Sequence, residues 1–111
     1  MKVYNVSVEK IGGEIIRDNE TYTVEDNTCL NNLTLSKTTL HGGKCTTGHS
    51  HAGLEEVYFF KKGSGIMQLE ENRFNVSEGS IVCIPGGAFH KVYNDAEEDL
   101  VFICVFQKYD R

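Results

Sequence analysis

Tryptophan is missing and proline occurs once in the 111 residues, so a chain kept open by Pro-rich disorder is excluded. Basic residues are in deficit: 11 Lys and Arg stand against 16 Asp and Glu, a net charge of −5. That balance argues against a general nucleic-acid binder and against adhesion to an anionic membrane. Long apolar runs are lacking too. The longest, Leu100–Phe106, has seven residues, far below the roughly 20 that a membrane helix needs. The opening MKVYNVSVEK carries no continuous apolar core, so no secretory signal is read there and a cytoplasmic location is expected. Four cysteines fall at 29, 45, 83 and 104 without a CxxC pair. In a reducing compartment they are expected to be free thiols, with Cys83 and Cys104 as small buried hydrophobes within apolar runs.

What is present reads as β-structure in one domain spanning residues 1–111, a length for which a single core suffices. No segment holds a helical period over three turns, and β-branched and aromatic residues are punctuated by turn residues. Strands are expected at Val3–Val8, Glu14–Arg17, Tyr22–Val24, Leu33–His41, Cys45–His51, Glu56–Lys61, Gly65–Leu69, Arg73–Val76, Ser80–Ile84, His90–Tyr93 and Leu100–Gln107. So many short strands suggest a sandwich or a barrel. Residues 1–32 are more polar, and are read as edge strands or an arm. A tight turn is expected around Glu70-Glu71-Asn72, with the asparagine suited to a left-handed backbone, and Pro85-Gly86-Gly87 is expected to end a strand.

The chemistry concentrates in Gly48–Gly63. Residues two apart on a strand share a face, so His49 and His51 are expected to project together and could share a metal ion. Glu56 opens the next strand and offers a carboxylate. Imidazole suits zinc, copper, iron and nickel, and a carboxylate admits manganese. An HxH pair alone is weak, but a third histidine, His90, opens another strand directly after Pro85–Phe89.

These residues also form two spaced motifs. The first is Gly43, five residues, His49-Ser50-His51, four residues, Glu56, six residues, Gly63. The second is Gly79, five residues, Pro85-Gly86-Gly87, two residues, His90, three residues, Asn94. Fifteen residues separate Gly63 from Gly79. The pair resembles the two motifs of the cupin superfamily, in the short form of small single-domain members. The resemblance implies an all-β jelly-roll barrel, a double-stranded β-helix, enclosing one divalent transition metal (Mn, Fe, Ni, Zn or Cu). It implies His49, His51, Glu56 and His90 as ligands; Glu55 is the competing carboxylate, on the opposite strand face from Glu56.

Strand parity extends the reading. With Glu56 inward, Tyr58 and Phe60 face inward as well, either lining the pocket or filling the core, while Val57 and Phe59 face out. With His90 inward, Val92 and Asn94 follow, and Lys91 points away. His41 is read as a rim residue or a pocket acid–base group. Cys45 shares the parity of His49 and could face the cavity.

Three functions stay open. A metal-dependent isomerase or epimerase of a small polar metabolite, such as a sugar or sugar phosphate, fits the four ligands. An iron-dependent dioxygenase would suit an apolar lining. A metal- or ligand-binding protein without turnover is the third, since fold likeness does not choose a reaction. The expected partners are a small-molecule substrate and a second copy, because Leu100–Phe106 carries apolar residues on both faces.

Overall fold

Side chains along the strands alternate between core and solvent, and this alternation assembles two sheets. In the computed structural model, which describes residues 4–109, the strands are β1 (Glu14–Asp18), β2 (Tyr22–Asn27), β3 (Leu33–Leu40), β4 (Glu56–Lys62), β5 (Ser64–Leu69), β6 (Asn72–Ser77), β7 (Ile81–Ile84), β8 (His90–Tyr93) and β9 (Leu100–Gln107). The larger sheet runs β1-β2-β3-β9-β4-β7 and the smaller β6-β5-β8, with every pairing antiparallel. The fold is the all-β jelly roll, and the described residues include no helix.

Between the sheets lies a core of Leu40, Phe60, Met67, Val92, Leu100 and Phe102, each at most 2% exposed. Burial of this kind, about 1.5–3 kcal/mol per large apolar side chain, drives closure of the two sheets. Along β4, Glu56, Tyr58 and Phe60 are buried and Val57 is exposed. Along β8, His90 and Val92 are buried, with Asn94 just beyond. Asn94 caps the barrel end away from Glu56. Its Nδ2 donates to the carbonyls of Leu40 and Glu98 at 2.9 and 2.8 Å, and its Oδ1 accepts from Ala96 N–H.

Several expectations are corrected. Of Val3–Val8, Val3 lies outside the described residues, and residues 4–8 form no strand. Cys45–His51 is not a continuous strand. It touches β8 by two isolated bridges, Cys45↔Tyr93 and His49↔His90. The register slips by one residue between them, and Val92 N–H bonds the Thr46 hydroxyl at 3.0 Å instead of a carbonyl. The slip also ends the parity link between Cys45 and His49, and Cys45 is exposed. Cys83 is exposed as well, because β7 lies at the sheet edge and presents Ile81 and Cys83 outward. In the β5–β6 turn the left-handed residue is Glu70, at φ 54°, not Asn72. On β9 only the inner face is fully buried: Val105 remains 37% exposed outside.

Candidate metal centre

Both sheets deliver ligand atoms to one end of the barrel. Glu56 begins β4 in the larger sheet, His90 begins β8 in the smaller, and His49 bridges directly to His90. Reciprocal backbone bonds tie the last two, His49 N–H to His90 C=O at 3.2 Å and His90 N–H to His49 C=O at 3.0 Å. One ligand atom each from His49, Glu56 and His90 falls within 4.8 Å of the others. The segment carrying His49 lies close to its neighbour because Gly48 has no side chain. A Cβ there would meet the Phe89 ring at 2.3 Å. Gly87, at φ 83°, turns the chain so that its N–H bonds the His51 carbonyl at 2.9 Å, a conformation that favours glycine.

The hydrogen bonds fix which nitrogen is free. His90 Nδ1 pairs with the Ala88 carbonyl at 3.0 Å and His49 Nδ1 with the Thr47 carbonyl at 3.1 Å. A carbonyl only accepts, so each Nδ1 carries the proton, and each neutral ring turns a lone pair outward from Nε2. Glu56 Oε2 lies 2.8 Å from His90 Nε2. With a neutral ring the two atoms present lone pairs to each other, and both are buried with no hydrogen-bond partner among the described residues, as is His51 Nε2. Orphaned buried acceptors of this kind cost about 1–3 kcal/mol each unless something electropositive meets them. The donor set, imidazoles plus one carboxylate, suits a divalent transition metal.

A proton is the competitor for that position. Burial lowers the His90 pKa, yet the Glu56 carboxylate and the Ala88 carbonyl outweigh it and raise the imidazole above its usual value. His49 moves the other way. Burial, then the fields of His90 and His51, lower its pKa against the opposing pull of Glu56 and Thr47.

His51 is adjacent to this triad but not within it. Its ring centroid is 4.7 Å from that of His49 and 6.4 Å from that of His90. It lies against Tyr109 instead, at 4.1 Å. Glu55 is exposed, and its backbone N–H bonds Gln107. His41 is at the far end of β3, 3.2 Å from Asp99, and does not line the cavity. Phe60 is fully buried below it.

The cavity above the triad has a volume of about 410 Å³. Tyr58, Phe102, Cys104 and Phe106 form an apolar wall, and Tyr22, Thr38, Thr46 and Thr47 bring hydroxyls. Tyr58 hydrogen-bonds Cys104, and burial first, with Cys104, Glu56 and Tyr109 nearby, holds the phenol well above its usual pKa. It is therefore a neutral donor at physiological pH. Sequence reasoning missed Tyr109, Arg17 and the cavity role of Cys104. The Tyr58↔Cys104 and Thr38↔Phe102 pairings that bring the wall together carry no signal in the chain itself.

Residues 36–106 match the cupin domain family. The chain is a cupin. It is similar to the glucose-6-phosphate isomerase of Thermococcus litoralis, at 31% identity over 78% of this chain and 53% of that protein. An uncharacterised protein of Methanocaldococcus jannaschii is 34% identical over 56% of this chain and 50% of that one. The chain thus spans about half the length of the curated relatives it matches. Among solved structures, a predicted oxalate decarboxylase of Thermotoga maritima superposes with a TM-score of 0.74 at 21% identity, covering 96% of this cupin and 100% of that chain. A suggested sugar phosphate isomerase of Acidithiobacillus ferrooxidans superposes at 0.73 with 23% identity, covering 93% of this cupin and 72% of that chain. At those identities the superpositions establish the fold.

Proposed function

We propose that this cupin is a metal-dependent isomerase of a small polar metabolite, a sugar or sugar phosphate. The observation that carries the reading is the convergence of His49, Glu56 and His90, where the buried Glu56 Oε2 and His90 Nε2 have no hydrogen-bond partner among the described residues. His51, whose Nε2 is also orphaned, is the fourth ligand in this proposal. A bound divalent ion supplies Lewis acidity, polarising a carbonyl and acidifying a neighbouring hydroxyl. The remaining work belongs to the chain. The Tyr58 hydroxyl keeps its proton and can donate to a substrate oxygen in exchange for its bond to Cys104. Thr46 and Thr47 can orient substrate hydroxyls. Phe102 and Phe106 exclude water beside the reacting carbons. The similarity to glucose-6-phosphate isomerases supports a sugar phosphate over other polar metabolites.

Elemental analysis of untagged protein purified without chelator tests the site. Restoration of Mn, Fe, Ni, Zn or Cu one at a time, with NMR of glucose 6-phosphate and fructose 6-phosphate, tests the reaction. About one metal per chain and interconversion of an aldose–ketose pair are expected. A fully loaded protein inert toward a panel of such pairs would sink the isomerase reading.

The apolar wall of Phe102, Cys104 and Phe106 favours a second reading, an iron-dependent dioxygenase, for which oxygen uptake by the ferrous protein is the test. The proposal extends to a homodimer through the outer face of β4, β7 and β9, where Val57, Ile81 and Val105 are 42, 63 and 37% exposed. Sedimentation of the wild type as a dimer and of Ile81→Lys as a monomer is expected.

A further inference from the structure

A cation reaches the wall of the cavity. Among the described residues that line it, Arg17 is the one lysine or arginine. It lies on β1, outside the cupin-matched residues 36–106.

An irregularity in the β1–β2 ladder puts it there. Glu14 opposes Asp26 and Ile15 opposes Glu25; then the register slips, and Arg17 opposes Val24 and Asp18 opposes Thr23. Ile16 is the extra residue. In an antiparallel pair, opposed residues share a face, and Val24 faces inward, 5% exposed and paired in turn with buried Thr38. Arg17 is therefore on the cavity side of the sheet, exposed at its rim. Were the ladder regular, Ile16 would oppose Val24, and Arg17 would stand with Thr23 on the outer face. Bulges near binding sites re-aim side chains in this way. Here the bulge exchanges an apolar side chain for a guanidinium on the cavity side.

Arg17 Nη1 donates to the Ile16 carbonyl at 3.0 Å, which uses one of five N–H donors. Arg17 and the ligand candidates His49 and Glu56 line the same cavity, whose wall also carries the hydroxyl-bearing Thr38, Thr46 and Thr47. A planar guanidinium suits a carboxylate or a phosphate, which it can grip with two parallel bonds.

We propose that Arg17 is an anion subsite, holding the carboxylate or phosphate of a substrate whose other end faces His49, Glu56 and His90. This rests on the reading that the cavity takes a small polar metabolite. It narrows that class to anionic members and makes Arg17 a specificity-determining residue.

Arginine side-chain NMR of the zinc-loaded protein, titrated with inorganic phosphate and with acetate, tests the subsite without assuming a reaction. Arg73, on the other sheet and bonded to Tyr93 at 3.1 Å, is the internal control. The Arg17 Nε signal is expected to shift saturably with at least one anion while Arg73 does not, and the more effective anion identifies the group. Calorimetry with glucose 6-phosphate, glucuronate and glucose is expected to show at least tenfold preference for an anionic sugar. Arg17→Gln should abolish that preference with metal content unchanged, and Arg17→Lys should restore part of it. An Arg17 signal that moves no more than Arg73, or an Arg17→Gln variant that keeps the preference, overturns the proposal. The two readings separate cleanly. If no isomerisation is found while Arg17 responds saturably, the reaction falls and the subsite stands. If isomerisation of a phosphorylated sugar is found and Arg17→Gln leaves its KM unchanged, the subsite alone falls.

Discussion

Two histidine–carboxylate pairs stand at opposite ends of the barrel, and they differ in almost everything except their chemistry. His90 and Glu56 approach to 2.8 Å with side chains 2 and 4% exposed; His41 and Asp99 approach to 3.2 Å at 33 and 50%. Water screens the second pair, and a contact so exposed contributes about 0–1 kcal/mol at most. The first pair has no solvent to satisfy it. Its members face one another with competing lone pairs, a position stabilised only by a shared proton or by a cation. Burial, not residue identity, turns this pairing into a candidate metal site.

The largest effect is expected at the buried pair. His90→Ala and His49→Ala should each remove most of the bound metal by elemental analysis, and a full equivalent retained by the double variant would refute the ligand assignment. His90→Ala also strands the Glu56 carboxylate, a loss on the order of 3–5 kcal/mol when one partner of a buried pair is removed. Urea unfolding of the chelated protein measures it, and Glu56→Gln, which leaves no charge behind, should cost less.

Chelation comes next. A metal at about 100 times its Kd stabilises by about 2.7 kcal/mol, roughly 10 °C in Tm for a domain of this size. Scanning calorimetry with and without EDTA should show that difference for the wild type and not for His90→Ala. A wild-type Tm indifferent to EDTA would equate the two ends of the barrel.

The pH dependence sharpens the contrast further. In the metal-free chain the raised His90 pKa adds stability below its unfolded value near 6.5, lost as pH rises through the higher folded value. His49, lowered, acts oppositely: its contribution is present above about 6.5 and is lost as pH falls through the lower folded value. Ligation requires both rings neutral. The gap in Tm between loaded and chelated protein should therefore widen from about pH 5.5 to 8, and a gap that narrows would exclude His90 as a ligand. The smallest effect is expected at the exposed pair. His41→Ala should cost under about 1 kcal/mol and leave metal content unchanged.

Much of the site was legible because strand parity is a local rule. The alternation along Glu56, Tyr58 and Phe60 and along His90 and Val92 needs only the chain. The same rule failed at Cys45 and gives no way to place Arg17, and for one reason. Each lies across a one-residue slip, between Cys45 and His49 and at Ile16, and a slip of one inverts the face of every residue beyond it. Cys83 was misread because an apolar run does not disclose that its strand is at an edge. Tyr109 was invisible because its contact with His51 spans about half the chain.

By itself the order of residues determined the family, the all-β architecture and the histidines and carboxylate that gather, since motif spacing and two-residue alternation are properties of neighbours along the chain. Only the folded barrel decided that His49, Glu56 and His90 approach within 4.8 Å, that His51 turns against Tyr109 and that a bulge puts Arg17 on the cavity side of its strand. Those outcomes depend on register between strands distant in sequence, and register is set by how the two sheets close on their shared core.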